Sequence, residues 1–156
     1  MEYPLFHDPA GYIALREGRF AFKTRLKKWY EQRAIDRCLD LTRDINSVCD
    51  IPSGPGRLFE FWRTRGWVVT GMDLSEEMVK ASRARHSDLA LGGSVLHHNA
   101  FEVYPETFDI VASVRFVCYF ERADRIRLIR SLASMSNHYL LLQYKTSETR
   151  KGAKNA

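Results

Sequence analysis

Residues 48–58 read "VCDIPSGPGRL". A short apolar run enters the turn Pro52-Ser53-Gly54-Pro55-Gly56, and a second apolar stretch leaves it. Glycine lets a backbone take positive φ and come close to a ligand. The proline rings stiffen the same turn. The stretch from Leu58 predicts a helix whose N-terminal amides point back at the loop. Read alone, the motif fits a ligand-binding turn. It also fits a tight strand-to-helix turn that holds nothing.

Outward from this turn the chain alternates. Phe20 to about Arg43 carries Leu26, Trp29, Tyr30, Ala34, Ile35, Cys38 and Leu41 at three-to-four spacing, which predicts a helix with those residues on one face. Asn46–Ile51 predicts a short buried strand. Leu58–Arg65 predicts a helix that Gly66 ends. "WVVTGMD" (67–73) predicts a second strand, and Ser75 a helix cap with two acids in the turn behind it. Leu91-Gly92-Gly93 reads as a turn. "SVLHHN" (94–99), "FDIVASVRF" (108–116) and "HYLLLQY" (138–144) predict three further strands. A helix over 122–135 precedes the last, with Ile126, Ile129, Leu132 and Ala133 on one face. Val/Ile/Leu-rich strands alternating with helices imply an α/β fold. The expected form is a doubly wound, mainly parallel sheet of about five strands with helices on both faces.

The 156 residues are one domain's length, and 45% of them are hydrophobic, enough for a packed core. An irregular arm is expected over 1–19, a ligand-binding domain over 20–145 and a polar tail over 146–156. No apolar run approaches the ~20 residues of a membrane helix. The opening "MEYPLFHDPAGYIALREGRF" has neither a basic start nor a continuous apolar segment. A secretory leader is therefore not expected, and a cytoplasmic protein is. Cys38, Cys49 and Cys118 form no C-x-x-C pair, so neither a disulfide framework nor a cysteine metal site is expected. The adjacent His97 and His98 would point to opposite faces of a strand, one into the core and one to a polar boundary, so they suggest no metal either. The net charge of +5 is scattered at helical spacing, and nucleic acid is not an expected partner.

In an open parallel sheet, ligands bind beyond the carboxyl ends of the strands. The glycine turn lies at that end of the first strand. Asp73 ends the second, 17 residues after Gly56. A carboxylate there can accept hydrogen bonds from both hydroxyls of a ribose. It can equally cap the next helix. No lysine follows Gly56, so the turn is not a triphosphate loop. Phe59 stands where a dinucleotide fold wants a small residue, which argues against a pyrophosphate. The expected ligand carries adenosine without phosphate.

With these features in order, residues 20–145 resemble the class I S-adenosylmethionine-dependent methyltransferases. Asp50-Ile51-Pro52-Ser53-Gly54-Pro55-Gly56 corresponds to the D-x-G-x-G-x-G loop of that class, with Pro52 in place of its first glycine. "GMDLSEEMV" resembles the second motif. "NAFEVYPETFDIV" is similar to the third-strand end and fourth-strand start, and "SVRFVCYFE" to the segment after the fourth strand. The chain ends 12 residues after Tyr144, where the family continues with a helix and two more strands. The expected form is a Rossmann-like methyltransferase core lacking the last strands.

The resemblance implies S-adenosylmethionine as cofactor and a set of binding residues. Asp50 would face its amino group. Pro52, Ser53, Gly54 and Gly56 would line the methionine part and ribose. Asp73 would hold the ribose, Leu74 the adenine face, and Asn99 with Ala100 the adenine edge. Val114 and Arg115 would lie under the sulfonium, unless Arg115 is an ordinary salt-bridge residue. Tyr119 and His98 are candidate general bases, and no catalytic residue is assigned. Arg19 and Phe20 could close over the cofactor. The implied function is methyl transfer to a small-molecule or lipid-like acceptor. The alternatives are a catalytically silent S-adenosylmethionine-binding or partner subunit and, third, an RNA methyltransferase. An exposed sheet edge, with Leu140, Leu141 and Leu142 nearby, would invite a homodimer or a partner chain.

Overall fold

Alternation of side chains across each strand fixes the architecture. The computed structural model describes residues 21–87 and 93–143, together with Gly11. The expected arm apart from Gly11, the polar tail, the turn residues Leu91 and Gly92, and Phe20 and Tyr144 lie outside the described residues. The elements are α1 (Ala21–Leu39), β1 (Ser47–Asp50), α2 (Phe59–Arg63), β2 (Val68–Asp73) and α3 (Glu76–Arg85). They continue with β3 (Ser94–His97), β4 (Phe108–Val114), a 3₁₀ turn (Val117–Tyr119), α4 (Arg122–Ser134) and β5 (Ser136–Gln143). The five strands form one sheet in the order β3-β2-β1-β4-β5. Every neighbouring pair is parallel. The winding reverses between β1 and β4, and among the described residues the edges are β3 and β5.

Successive strand residues feed two cores. Val48, Val69, Ile110 and Ala112 pack with Ile35 and Leu39 of α1, Phe59 and Trp62 of α2 and Val79 of α3. Cys49, Met72 and Val111 pack on the other face with Leu128 and Leu132 of α4, and with Met135. Burial of Cys49 pushes its thiol well above the ordinary range, consistent with a small core hydrophobe. At the far end of the sheet, Asp109 ties β4 to the start of β1. Its Oδ2 accepts from the backbone N–H groups of Asn46 (2.8 Å) and Ser47 (3.0 Å).

Two helix faces differ from their expected ones. In α1 the buried stripe is Glu31, Ile35 and Leu39, whereas Leu26, Trp29, Tyr30, Cys38 and, just beyond the helix, Leu41 are exposed. A carboxylate at the head of an apolar stripe escapes a pattern that counts only apolar residues. In α4 the buried positions are Leu128, Ser131 and Leu132, with Ile129 packed partly against them. Ile126 and Ala133 face solvent. The other boundaries shift by a few residues. Ser75 caps α3 as expected, its Oγ accepting from the Met78 N–H at 3.3 Å. Gly66 takes φ +74 just past α2.

The approach of α2 to the sheet depends on Gly71. A Cβ there would lie 2.1 Å from the Phe59 ring, and that ring is fully buried. Gly71→Ala is expected to lower stability by about 1–3 kcal/mol through overpacking, read as a lower urea midpoint at unchanged slope.

Candidate cofactor site at the carboxyl ends of β1 and β2

Three backbone bonds shape the glycine turn. Ile51 N–H donates to the Ala112 carbonyl (2.9 Å), Ser53 N–H to that of Met72 (2.8 Å), and Gly56 N–H to that of Ser53 (3.2 Å). The turn is thereby tied to β4 on one side and β2 on the other. Gly54 takes φ +55 and Gly56 φ +75, a region that disfavours any side chain. Their surroundings differ. A Cβ on Gly54 would meet nothing within 4 Å, so this is where the turn opens to space. A Cβ on Gly56 would lie 2.6 Å from the His86 ring and 3.0 Å from Ser82 Oγ. The close approach that Gly56 permits is therefore to α3 and its C-cap. Pro52 is half-buried and Ser53 buried at the start of the turn.

Asp73 is bound into this geometry. Its Oδ2 accepts from the Gly54 N–H at 2.8 Å and its Oδ1 from the Ser75 N–H at 2.9 Å. The helix cap is Ser75, and Asp73 ties the glycine turn to the backbone of that cap residue. Burial pushes its carboxyl up, and the bonds from Ser75 and Gly54 oppose that. Each carboxylate oxygen has two lone-pair directions, so one backbone bond apiece leaves capacity for a further donor. Leu74 is 61% exposed beside it.

Asp50 ends β1 and is 2% exposed. The Trp62 indole N–H donates to its Oδ2 at 3.3 Å. Burial raises its pKa from 3.8 to about 7; the Trp62 bond and Arg57 pull down, Asp73 and Glu31 push up. A cation placed here would restore the charged form.

Asn99 turns the chain after β3. Its Oδ1 accepts from the Phe101 N–H and its Nδ2 donates to Glu102 Oε1, both at 3.1 Å. Ala100 is buried behind it. His97 is exposed, with Nε2 at 2.7 Å from the Leu74 carbonyl. His98 Nε2 lies 3.1 Å from the Glu102 carbonyl, and its ring sits 5.2 Å from that of Tyr104. Neither histidine enters the core, because β3 ends at His97 and both sit at its polar rim. Tyr119, 51% exposed, lies in the 3₁₀ turn after β4. Val114 is buried at the end of β4.

Sequence reasoning missed the partner of Arg115. Its Nε stands 2.6 Å from Glu31 Oε1, and Arg57 Nη1 meets Glu31 Oε2. Glu31 is 6% exposed. One buried carboxylate on α1 therefore bridges the residue after the glycine turn and the residue after β4. Arg115 itself takes φ +60. The only trace of Glu31 in the sequence is its spacing, four and eight residues before Ile35 and Leu39.

Residues 48–138 match the family model described as "Methyltransferase domain", and the chain belongs to that family. It is 35% identical over 106 residues to the malonyl-[acyl-carrier protein] O-methyltransferase of Salmonella typhimurium. That match covers 65% of this chain and 40% of the relative, so the chain spans less than half of that curated protein's length. Among solved structures it resembles magnesium protoporphyrin IX methyltransferase from Synechocystis PCC 6803 with bound SAM. The identity is 20% and the TM-score 0.66, over 94% of this chain and 79% of that one. It also resembles a glycopeptide N-methyltransferase complexed with (S)-adenosyl-L-methionine, at 20% identity and a TM-score of 0.59, over 68% of this chain and 49% of that one. These structures share the Rossmann-like methyltransferase fold.

The buried Asp50 makes stability pH-dependent. Its folded-state pKa of about 7 lies above the ordinary 3.8, so the folded chain holds this proton more tightly than the unfolded one. That contribution is fully present below pH 3.8 and is lost as pH rises through 7. Asp73 shifts in the same direction. Asp50→Asn is expected to flatten the fall in unfolding free energy across this window by an amount on the order of a few kcal/mol, measured by urea titration at several pH values. An unchanged pH profile would contradict the assignment.

Proposed function

We propose that the protein binds S-adenosylmethionine across the carboxyl ends of β1 and β2 and catalyses methyl transfer to a small-molecule or lipid-like acceptor. The observation that carries this reading is the clamp between Asp73 and Gly54. It places a carboxylate with spare acceptor capacity beside the one glycine of the turn that opens to space. When bound, the cofactor supplies a methyl group on positively charged sulfur.

The chain's own residues then bind and orient. Asp73 accepts from ribose hydroxyls. Asp50 faces the ammonium group, whose charge favours the ionised carboxylate. Pro52, Ser53, Gly54 and Gly56 form the turn under the methionine part. Leu74 covers the adenine face, and Asn99 with Ala100 marks its edge. Val114 and Arg115 bound the space where acceptor and methyl meet. Alignment is the main requirement, since a well-oriented pair reacts as if at very high concentration. A general base is optional. Tyr119 is the exposed candidate; His98 has a ring nitrogen turned to the Glu102 carbonyl.

Calorimetric titration with S-adenosylmethionine, S-adenosylhomocysteine, NAD and ATP tests the reading. The first two are expected to bind and the others not. Gly54→Val is expected to weaken that binding at least tenfold, or by about 1.4 kcal/mol. Binding of NAD alone, or unchanged affinity in the variant, would contradict it. Binding without turnover of any acceptor would favour the silent-subunit reading.

The edge of β5 that no described strand pairs is proposed as a surface for a second copy or a partner chain. Leu140, Leu141 and Leu142 are half-buried along it, and an unpaired edge is a template for strand addition. Light scattering is expected to show a dimer; a strict monomer at high concentration would contradict this.

A further inference from the structure

The crevice of this fold lies between β1 and β4, where the winding reverses. Glu31 spans it. Its carboxylate meets Arg57 on the β1 side and Arg115 Nε on the β4 side. Two guanidinium groups thus share one buried carboxylate, which leaves the three side chains with a net positive charge. Asp50 feels Arg57 directly, so the β1 side has a second carboxylate within range. On the β4 side, Glu31 is the carboxylate ion-paired with Arg115 among the described residues.

Arg115 is ion-paired with Glu31, its Nε 2.6 Å from an Oε1 that accepts no hydrogen bond. Its two terminal nitrogens carry four further N–H donors, with no hydrogen bond to another described residue. Its side chain is 32% exposed. A guanidinium whose terminal nitrogens are unengaged can offer that edge as a planar fork, the geometry that matches a carboxylate or phosphate. The φ of +60 at Arg115 is an unfavourable conformation for a long side chain, and such outliers cluster at ligand sites.

An aromatic ridge follows Arg115 in the chain. The Phe116 ring packs edge-on against Phe120 at 4.9 Å, and Phe120 against Phe101 at 5.0 Å. All three rings are half-buried, and the more exposed Tyr119 lies between Phe116 and Phe120 in the chain. A cationic fork followed at once by an aromatic ridge suits a ligand with an anionic head and an apolar body.

Building on the methyl-transfer reading above, we propose that Arg115, aimed by Glu31, binds an anionic carboxylate or phosphate group of the acceptor, whose apolar part lies against Phe116 and Phe120. Glu31 is then a positioning residue and Arg115 a specificity-determining one.

The test follows the Arg115 Nε–H signal in ¹⁵N NMR spectra of the full chain, assigned by its disappearance in Arg115→Lys. Octanoate, octyl phosphate and neutral octyl glucoside are titrated at constant ionic strength. The expected result is a saturable shift with at least one anion and none with the glucoside. Arg115→Gln is expected to weaken anion binding at least tenfold. The stronger of the two anions identifies the head group as carboxylate or phosphate. Glu31→Gln is expected to broaden or move the Nε–H signal before any ligand is added. If neither anion moves the signal, or Arg115→Gln binds them equally well, the proposal is overturned even if calorimetry shows the cofactor bound. If anions bind but the cofactor does not, the methyl-transfer reading falls, and the acceptor assignment with it.

Discussion

The bond from the Gly54 N–H to Asp73 Oδ2 joins two strands' ends into one surface. A glycine turn after a buried strand is a loose device by itself. Here the next strand supplies a carboxylate that fixes it, and β4 fixes its other flank through the Ile51 N–H. The turn can therefore keep positive φ at Gly54 and Gly56 without a ligand. The same bond gives Asp73 a structural role beside the ribose-binding one proposed for it. Its loss would free two backbone N–H groups before any cofactor is considered. On the proposed reading, apo stability and ligand affinity are coupled at this residue, and a simple alanine substitution cannot separate them.

Charge at the reversal point follows from that geometry. Asp50, Asp73 and Glu31 stand against Arg57 and Arg115, and burial keeps Asp50 close to its titration point near neutral pH. A buried ion pair is weak support for stability, since desolvation offsets much of the attraction. Glu31 is better understood as a register pin. It ties α1 to the residues that follow the glycine turn and β4.

Most of the fold was legible because its signals are local. Short Val/Ile-rich runs bounded by glycine and proline mark the strands. Ser75 with two following acids marks the start of α3, and the parallel order follows from alternation with helices. The glycine turn and Asp73 were legible for the same reason, each lying at a strand's carboxyl end. What the sequence hid depends on partners far along the chain. Arg57 lies 26 residues from Glu31, and Arg115 lies farther still. His86 fills the space behind Gly56 from the end of another helix. The buried face of α1 was misread because its first member is charged. In α4, Leu128 and Met135 outrank Ile126 because β4 and β5 fix which side of the helix is covered.

The central claim is that this turn and this carboxylate hold adenosine together with an amino-acid moiety. A crystal structure with S-adenosylhomocysteine tests it most directly. The account predicts ribose hydroxyls at hydrogen-bond distance, about 2.7–3.2 Å, from the Asp73 carboxylate. It also predicts ligand atoms over Gly54 and the amino group on the Asp50 side. A ligand ordered elsewhere on the chain, with the space above Gly54 empty, would contradict it.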